Sequence, residues 1–146
     1  MVEPTKTILL VEDDPDHEVL TIRALRKASV ANEIRIARDG EEALDLLFGN
    51  GEDALKITPQ VILLDLKLPK IDGLEVLRRV RERELTRMLP VVILTSSDEE
   101  SDIVRSYKLG VNSYIRKPVS FTEFAEATRQ LGMYWLVLNE CPPRSN

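Results

Sequence analysis

Cysteine is almost missing from this 146-residue chain: Cys141, near the C-terminal end, is the only one. That excludes an internal disulfide framework and a cysteine-based zinc site, and it fits a reducing compartment. Histidine is as scarce. His17 stands alone, and on the first turn of a helix it is expected to face solvent and not to act as a phosphodonor. No apolar run approaches the roughly 18 residues of a membrane span, and the opening MVEPTKT lacks the apolar segment of a signal peptide. A cytoplasmic protein without a membrane partner is expected. Positive charge is also in deficit, with 20 basic against 25 acidic residues and a net charge of -5. No overall field then draws the chain to nucleic acid. The Gly-x-Gly-x-x-Gly fingerprint and the P-loop are both absent, which disfavours a nucleotide- or flavin-binding fold. There is no internal repeat and no low-complexity segment.

What is present is a succession of short apolar runs alternating with helical patterns. Thr7 to Val11 and Val61 to Leu64 are unbroken apolar runs, as expected of strands buried on both faces of a parallel sheet. Val91 to Leu94 is a third such run. Ile34 with Ile36, and Ser113 to Arg116, supply two further strands. Between them, Asp14-Pro15 opens a helix with Val19, Ile22 and Leu25 on one face. Asp39-Gly40 opens a second helix with Ala43, Leu44 and Leu47. Asp72-Gly73 opens a third with Leu74, Leu77 and Val80, whose Arg78, Arg79, Arg81 and Arg83 are read as a solvated face. Asp98 caps a fourth, ended near Leu109 by Gly110, and a last helix runs from about Phe121 or Thr122 to Leu138. Residues 49–60 form a surface loop. The expectation is a single α/β domain, a doubly wound five-stranded parallel sheet with helices on both faces.

In such a sheet the C-terminal strand ends meet on one rim, where a crevice is left open. That rim would gather Glu12 and Asp13, Asp65, Thr95 and Lys117. Clustered carboxylates are hard oxygen ligands suited to Mg2+, expected on Asp13 and Asp65. A carboxylate attacks phosphorus once cations offset the charge on the transferring phosphoryl group. Asp65 is the candidate nucleophile, Lys117 the cation and Thr95 a hydroxyl donor.

The order and spacing of these residues resemble the receiver domain of two-component response regulators, over about residues 6–131. The resemblance implies a flavodoxin-like fold and a phosphoryl group received on Asp65 from a histidine kinase. Glu12-Asp13 match the acidic pair, Thr95 the hydroxyl position, Lys117-Pro118 the lysine with its proline, and Tyr114 the aromatic switch position. It also implies that the Lys67 backbone carbonyl is the third protein ligand of Mg2+ and that Glu12 acts on the ion through a water. The loop at about 49–60 and the aromatic tail MYWLVLNECPP, in an extension of about 132–146, resemble regulators partnered with bacterial and cyanobacterial phytochrome kinases. Those commonly carry a smaller polar residue where Lys67 stands. Lys67 is therefore expected either to point into solvent or to reach the rim, where it would pair with Glu12 or Asp13 or shield the phosphoryl group.

Two other functions fit parts of the pattern. A Mg2+-dependent phosphatase of the haloacid dehalogenase type also uses a strand-end aspartate, but needs a second aspartate where Lys67 is found. A phosphorylation-independent pseudo-receiver would need none of the five site residues. With no output domain attached, signalling would pass to a downstream protein by contact or by phosphoryl relay. The last helix places Phe124, Thr128, Leu131, Trp135 and Leu138 on a face that covers the sheet, leaving Met133, Tyr134, Leu136 and Val137 off it. An exposed apolar patch of that kind is expected to be covered by a second copy, a homodimer with Tyr134 and Val137 in the contact, or else by the segment folding back onto its own domain where Pro142-Pro143 ends the helix.

Overall fold

The computed structural model describes residues 7–27, 32–49, 57–96, 100–117 and residues 122, 123 and 126. Its strands are β1 (Thr7–Val11), β2 (Glu33–Ala37), β3 (Val61–Leu64), β4 (Val91–Thr95) and β5 (Ser113–Arg116). The helices are α1 (Pro15–Lys27), α2 (Gly40–Phe48), α3 (Gly73–Glu82) and α4 (Glu100–Lys108). All strand pairs are parallel, in the order β2-β1-β3-β4-β5. The three apolar runs, β1, β3 and β4, occupy the centre, and every one of their residues is buried. β2 alternates and lies at an edge, as its charged Glu33 and Arg35 require.

From β1 the chain moves outward to β2, then reverses to add β3, β4 and β5 on the other side. Right-handed crossovers in opposite directions put the first helix on one face and the next three on the other. Residue parity agrees. Leu9, Val11, Ile62, Leu64 and Ile93 share one core with Ala43, Leu47 and Phe48 of α2 and Val76, Leu77 and Val80 of α3. The reversal between β1 and β3 leaves a crevice at their C-terminal ends.

Three expectations need correction. Val19 is half exposed, together with Leu20, because the buried stripe of α1 runs through Thr21 and Leu25, four residues apart. Val76 is fully buried beside Leu77 and Val80, whereas Leu74 is only partly covered. The arginines of α3 are not one solvated face. Arg78 and Arg79 do lie on the surface, paired with Glu75 and, for Arg78, Glu82. Arg83 stacks over the Phe48 ring, 4.1 Å from its centroid. Arg81 turns inward and has no carboxylate partner among the described residues. Its guanidinium donates to the carbonyls of Gly110 (2.9 Å), Arg87 (3.1 Å) and Leu89 (2.7 Å) and to Asn112 Oδ1 (2.9 Å). Asn112 Oδ1 also accepts from Val91 N, at the start of β4. One planar fork thus joins the end of α3, the α3–β4 connection and the α4–β5 connection. The cap expected at Asp98 and the body of the last helix lie outside the described residues, although Thr122, Glu123 and Glu126 are helical.

Arg81 should therefore behave as a structural residue. Arg81→Ala leaves several carbonyls without their donor and should lower stability by about 2 kcal/mol or more, and Arg81→Lys should recover little because an ammonium cannot reproduce the fork. Urea unfolding of the two variants beside Arg78→Ala, expected near wild type, checks this.

Candidate functional site

The crevice is built by strands that stop and loops that are held. β1 ends at Val11, and Glu12 N continues the ladder by donating to Ala37 O at 2.9 Å. Asp65 N does the same to Val11 O at 3.1 Å, so Glu12 and Asp65 sit on adjacent strand ends. Asp14 then caps α1, its Oδ1 accepting from Asp16 N (2.8 Å) and His17 N (3.3 Å). These amides hold its carboxyl below the ordinary range. The β3–α3 loop is fixed by two glycines. A Cβ on Gly73 would lie 2.2 Å from the Asp65 carbonyl oxygen, and one on Gly40 would lie 1.9 Å from the Ile71 carbonyl oxygen. Only glycine allows α3 to start this close to Asp65 and α2 this close to the loop. Lys70 takes φ 66 in the same loop, and its ammonium lies 3.6 Å from Asp39 Oδ2.

Glu12, Asp13 and Asp65 each offer a carboxylate oxygen, and these oxygens lie within 4.8 Å of one another. Glu12 and Asp65 are buried, and Asp13 is exposed. Lys117 follows β5, on the far side of β4; its backbone N donates to Thr95 O at 2.9 Å. Its buried ammonium crosses over the end of β4 to reach Asp65 Oδ2 at 2.8 Å and Glu12 Oε1 in a shorter contact. The other oxygens are engaged by backbone: Asp14 N donates to Glu12 Oε2 (3.2 Å) and Lys67 N to Asp65 Oδ1 (3.1 Å). Thr95 is fully buried at the end of β4, and Tyr114 is partly buried on β5, opposite Ile93.

Burial raises the Glu12 pKa to about 7, with the Asp65 charge adding to the rise and Lys117 opposing it. Because the folded state holds this proton more tightly than the unfolded chain, the group's contribution to stability is full below the ordinary glutamate range. It is lost as pH rises through about 7. The donor set suits a hard divalent cation: three carboxylates close enough to share one ion, on a rim that admits water at Asp13.

One open site alternative is narrowed by the structure, and one expectation differs from it. Lys67 is exposed and makes no ion pair with Glu12 or Asp13; Lys117 already occupies Glu12. His17 is not simply solvated. Its Nδ1 lies 3.0 Å from Lys117 Nζ and its Nε2 lies 3.6 Å from Asp14 Oδ2. A signal for this was present, because a helix that begins directly at an acidic strand end places its first turn on the same rim. Residues 50–56, Pro118 and the segment carrying Tyr134 and Val137 lie outside the described residues.

The sequence matches the response regulator receiver domain over residues 8–129. It is 42% identical over 135 residues to the probable methanogenesis regulatory protein FilR2 of Methanothrix harundinacea, covering 92% of this chain and 86% of that protein. It is 38% identical over 133 residues to the response regulator Rcp1 of a Synechocystis strain, covering 91% of this chain and 90% of Rcp1. The solved structure of Rcp1 in its Mn2+-bound form superposes with a TM-score of 0.72 at 34% identity, over 96% of this chain and 99% of that one. The bacteriophytochrome response regulator AtBRR superposes with a TM-score of 0.81 at 52% identity, over 94% of this chain and 100% of that one. Fold, strand-end acids and extent of match agree, and the chain belongs to the response regulator receiver domain family.

Proposed function

We propose that Asp65 accepts a phosphoryl group from a histidine kinase in a Mg2+-dependent reaction, and that the protein acts as a switched signalling module, not as an enzyme on an external substrate. The observation that carries this is the Lys117 ammonium bridging Asp65 and Glu12 at the strand ends. A carboxylate oxygen of Asp65 forms a bond to phosphorus while the bond from phosphorus to the donor imidazole nitrogen breaks, its electron pair staying on that nitrogen. Lys117 is placed to follow the charge onto a phosphoryl oxygen, and Thr95 to donate its hydroxyl to another. Asp13, Asp65 and the Lys67 carbonyl would hold Mg2+, with Glu12 acting through a water; the ion would neutralise charge on the transferring group. Tyr114, two residues from Arg116 on β5, would sense the rearrangement of Thr95.

A phytochrome-type kinase is the partner this reading favours, supported by the likeness to AtBRR and Rcp1 across nearly the whole chain. The setting is then cytoplasmic; among the described residues no helix is long and apolar enough to cross a membrane. Output passes to a downstream protein or phosphotransfer partner. The chain is read as one domain with a helical extension that pairs two copies, together with the α4 and β5 surface. Val104 and Tyr107 of α4 are 44% and 52% exposed there.

Incubation with Mg2+ and acetyl phosphate should give one acid-stable, hydroxylamine-labile modification, lost in Asp65→Asn and on chelation of the metal. Equal labelling of Asp65→Asn overturns the assignment. Since cation binding requires deprotonated carboxylates, Mg2+ affinity should weaken as pH falls from about 8 to about 6, with protons released on binding. Calorimetry in two buffers of different ionisation enthalpy reads both effects, and Glu12→Gln should flatten the profile. Sedimentation equilibrium should show a dimer that Tyr134→Asp with Val137→Asp converts to a folded monomer still labelled on Asp65.

A further inference from the structure

Lys117 is the one described cation at the crevice whose ammonium is fully enclosed by side-chain acceptors, and its three partners are of two kinds. An ammonium has three N–H donors and no lone pair. Glu12 Oε1 and Asp65 Oδ2 take two of these donors. The third points to His17 Nδ1 at 3.0 Å. Since Nζ can only donate, Nδ1 is the acceptor in this contact, and the ring proton sits on Nε2, facing Asp14 Oδ2 at 3.6 Å. Asp14 is itself held by the first turn of α1 through Asp16 N and His17 N. The order is therefore helix cap, imidazole, ammonium, acceptor carboxylate. His17 Nε2 and Asp14 Oδ2 are beyond hydrogen-bond distance, so the imidazole is held by its contact with Lys117 and by its place on the first turn of α1.

We propose that His17 is a positioning residue for phosphoryl transfer: it supplies the third acceptor that keeps the Lys117 ammonium at the crevice when Asp65 is modified. The inference rests on the reading of Asp65 as the acceptor. Once Asp65 carries a phosphoryl group, the ammonium has to exchange one partner, the carboxylate oxygen, for a phosphoryl oxygen. Glu12 and His17 retain the other two N–H groups, so the exchange redirects one donor and leaves Nζ in place. A preset donor of this kind stabilises developing charge without reorganising at the moment of reaction. If the imidazole is removed, two acceptors remain for three donors in a site where Lys117 is only 8% exposed. The ammonium must then turn toward solvent to satisfy the third, and away from the transferring group.

The test compares His17→Leu, which keeps bulk without an acceptor, with His17→Asn, whose amide oxygen occupies a position close to that of Nδ1. Labelling by acetyl phosphate with Mg2+ should be about tenfold slower in His17→Leu, below what removal of a direct charge-stabilising donor costs. It should recover to within about threefold of wild type in His17→Asn. A structural role alone would not move the 15N–H resonance of the Lys117 ammonium, measured in the unphosphorylated protein. Protection of its N–H protons from exchange should be visible in wild type and His17→Asn and lost in His17→Leu. Equal rates in all three proteins, or equal loss in both variants with unchanged ammonium protection, overturns the proposal. Labelling that survives Asp65→Asn instead overturns the acceptor assignment, while the ammonium signals still report on whether His17 holds Lys117.

Discussion

The position of one ammonium group fixes the arrangement of the crevice. Lys117 reaches from the end of β5 across the end of β4 to the ends of β3 and β1, and it contacts Asp65 and Glu12 there. Two buried carboxylates on neighbouring strands repel each other in a medium that screens them poorly. The lysine offsets that repulsion only because its own desolvation is met by three acceptors with good geometry. The sheet beneath supplies the geometry. Asp65 N and Glu12 N both continue the strand ladders, to Val11 O and Ala37 O, so the two side chains leave from rigid backbone and not from mobile loop.

The local charge balance explains why a divalent cation suits the site and why Glu12 titrates where it does. Three carboxylates and one ammonium leave a formal charge of -3 + 1 = -2. Among the described residues, His17 is the further side chain in contact with these groups, and it acts as an acceptor toward Lys117. Without a cation, the cheapest relief is a proton on the most enclosed carboxylate. That is Glu12, at 1% exposure, and its pKa rises to about 7. Proton and divalent cation are thus alternative answers to the same excess of negative charge, and each should displace the other. Lys117 belongs to both states.

Much of this was legible in the sequence. Strands buried on both faces read as unbroken apolar runs, and their number and alternation with helical patterns led to the sheet; each acid or hydroxyl that follows a run then falls on the rim by topology alone. Side-chain reach was less accessible. Lys67, two residues past Asp65, was one candidate to meet Glu12 or Asp13, yet Lys117, 105 residues from Glu12 in sequence, takes the Glu12 carboxylate. Short sequence separation is a poor guide where the chain turns away, as it does when Lys67 N folds back to Asp65 Oδ1. His17 and Arg81 were missed for a related reason. Both are polar residues on helices, where solvation is the ordinary expectation, and their partners come from segments distant in sequence.

The rim carries more acids than the site uses, and the backbone separates them into two roles. Asp14, Asp39 and Asp72 each stand immediately before the first residue of a helix. Their carboxylates accept amides of α1, α2 and α3, from Asp16 and His17, from Glu42, and from Glu75 respectively. Helix N-termini carry partial positive charge, so these three are compensated where they stand and add little to the field in the crevice. Glu12, Asp13 and Asp65 are not adjacent to a helix start; Glu12 and Asp65 take one loop amide each, from Asp14 and Lys67, and further compensation comes from Lys117 or from a bound cation. Adjacency to a helix start therefore separates the aspartates on this rim that stabilise the fold from those that remain open to chemistry. In this chain the run Glu12-Asp13-Asp14 contains both kinds within three consecutive residues.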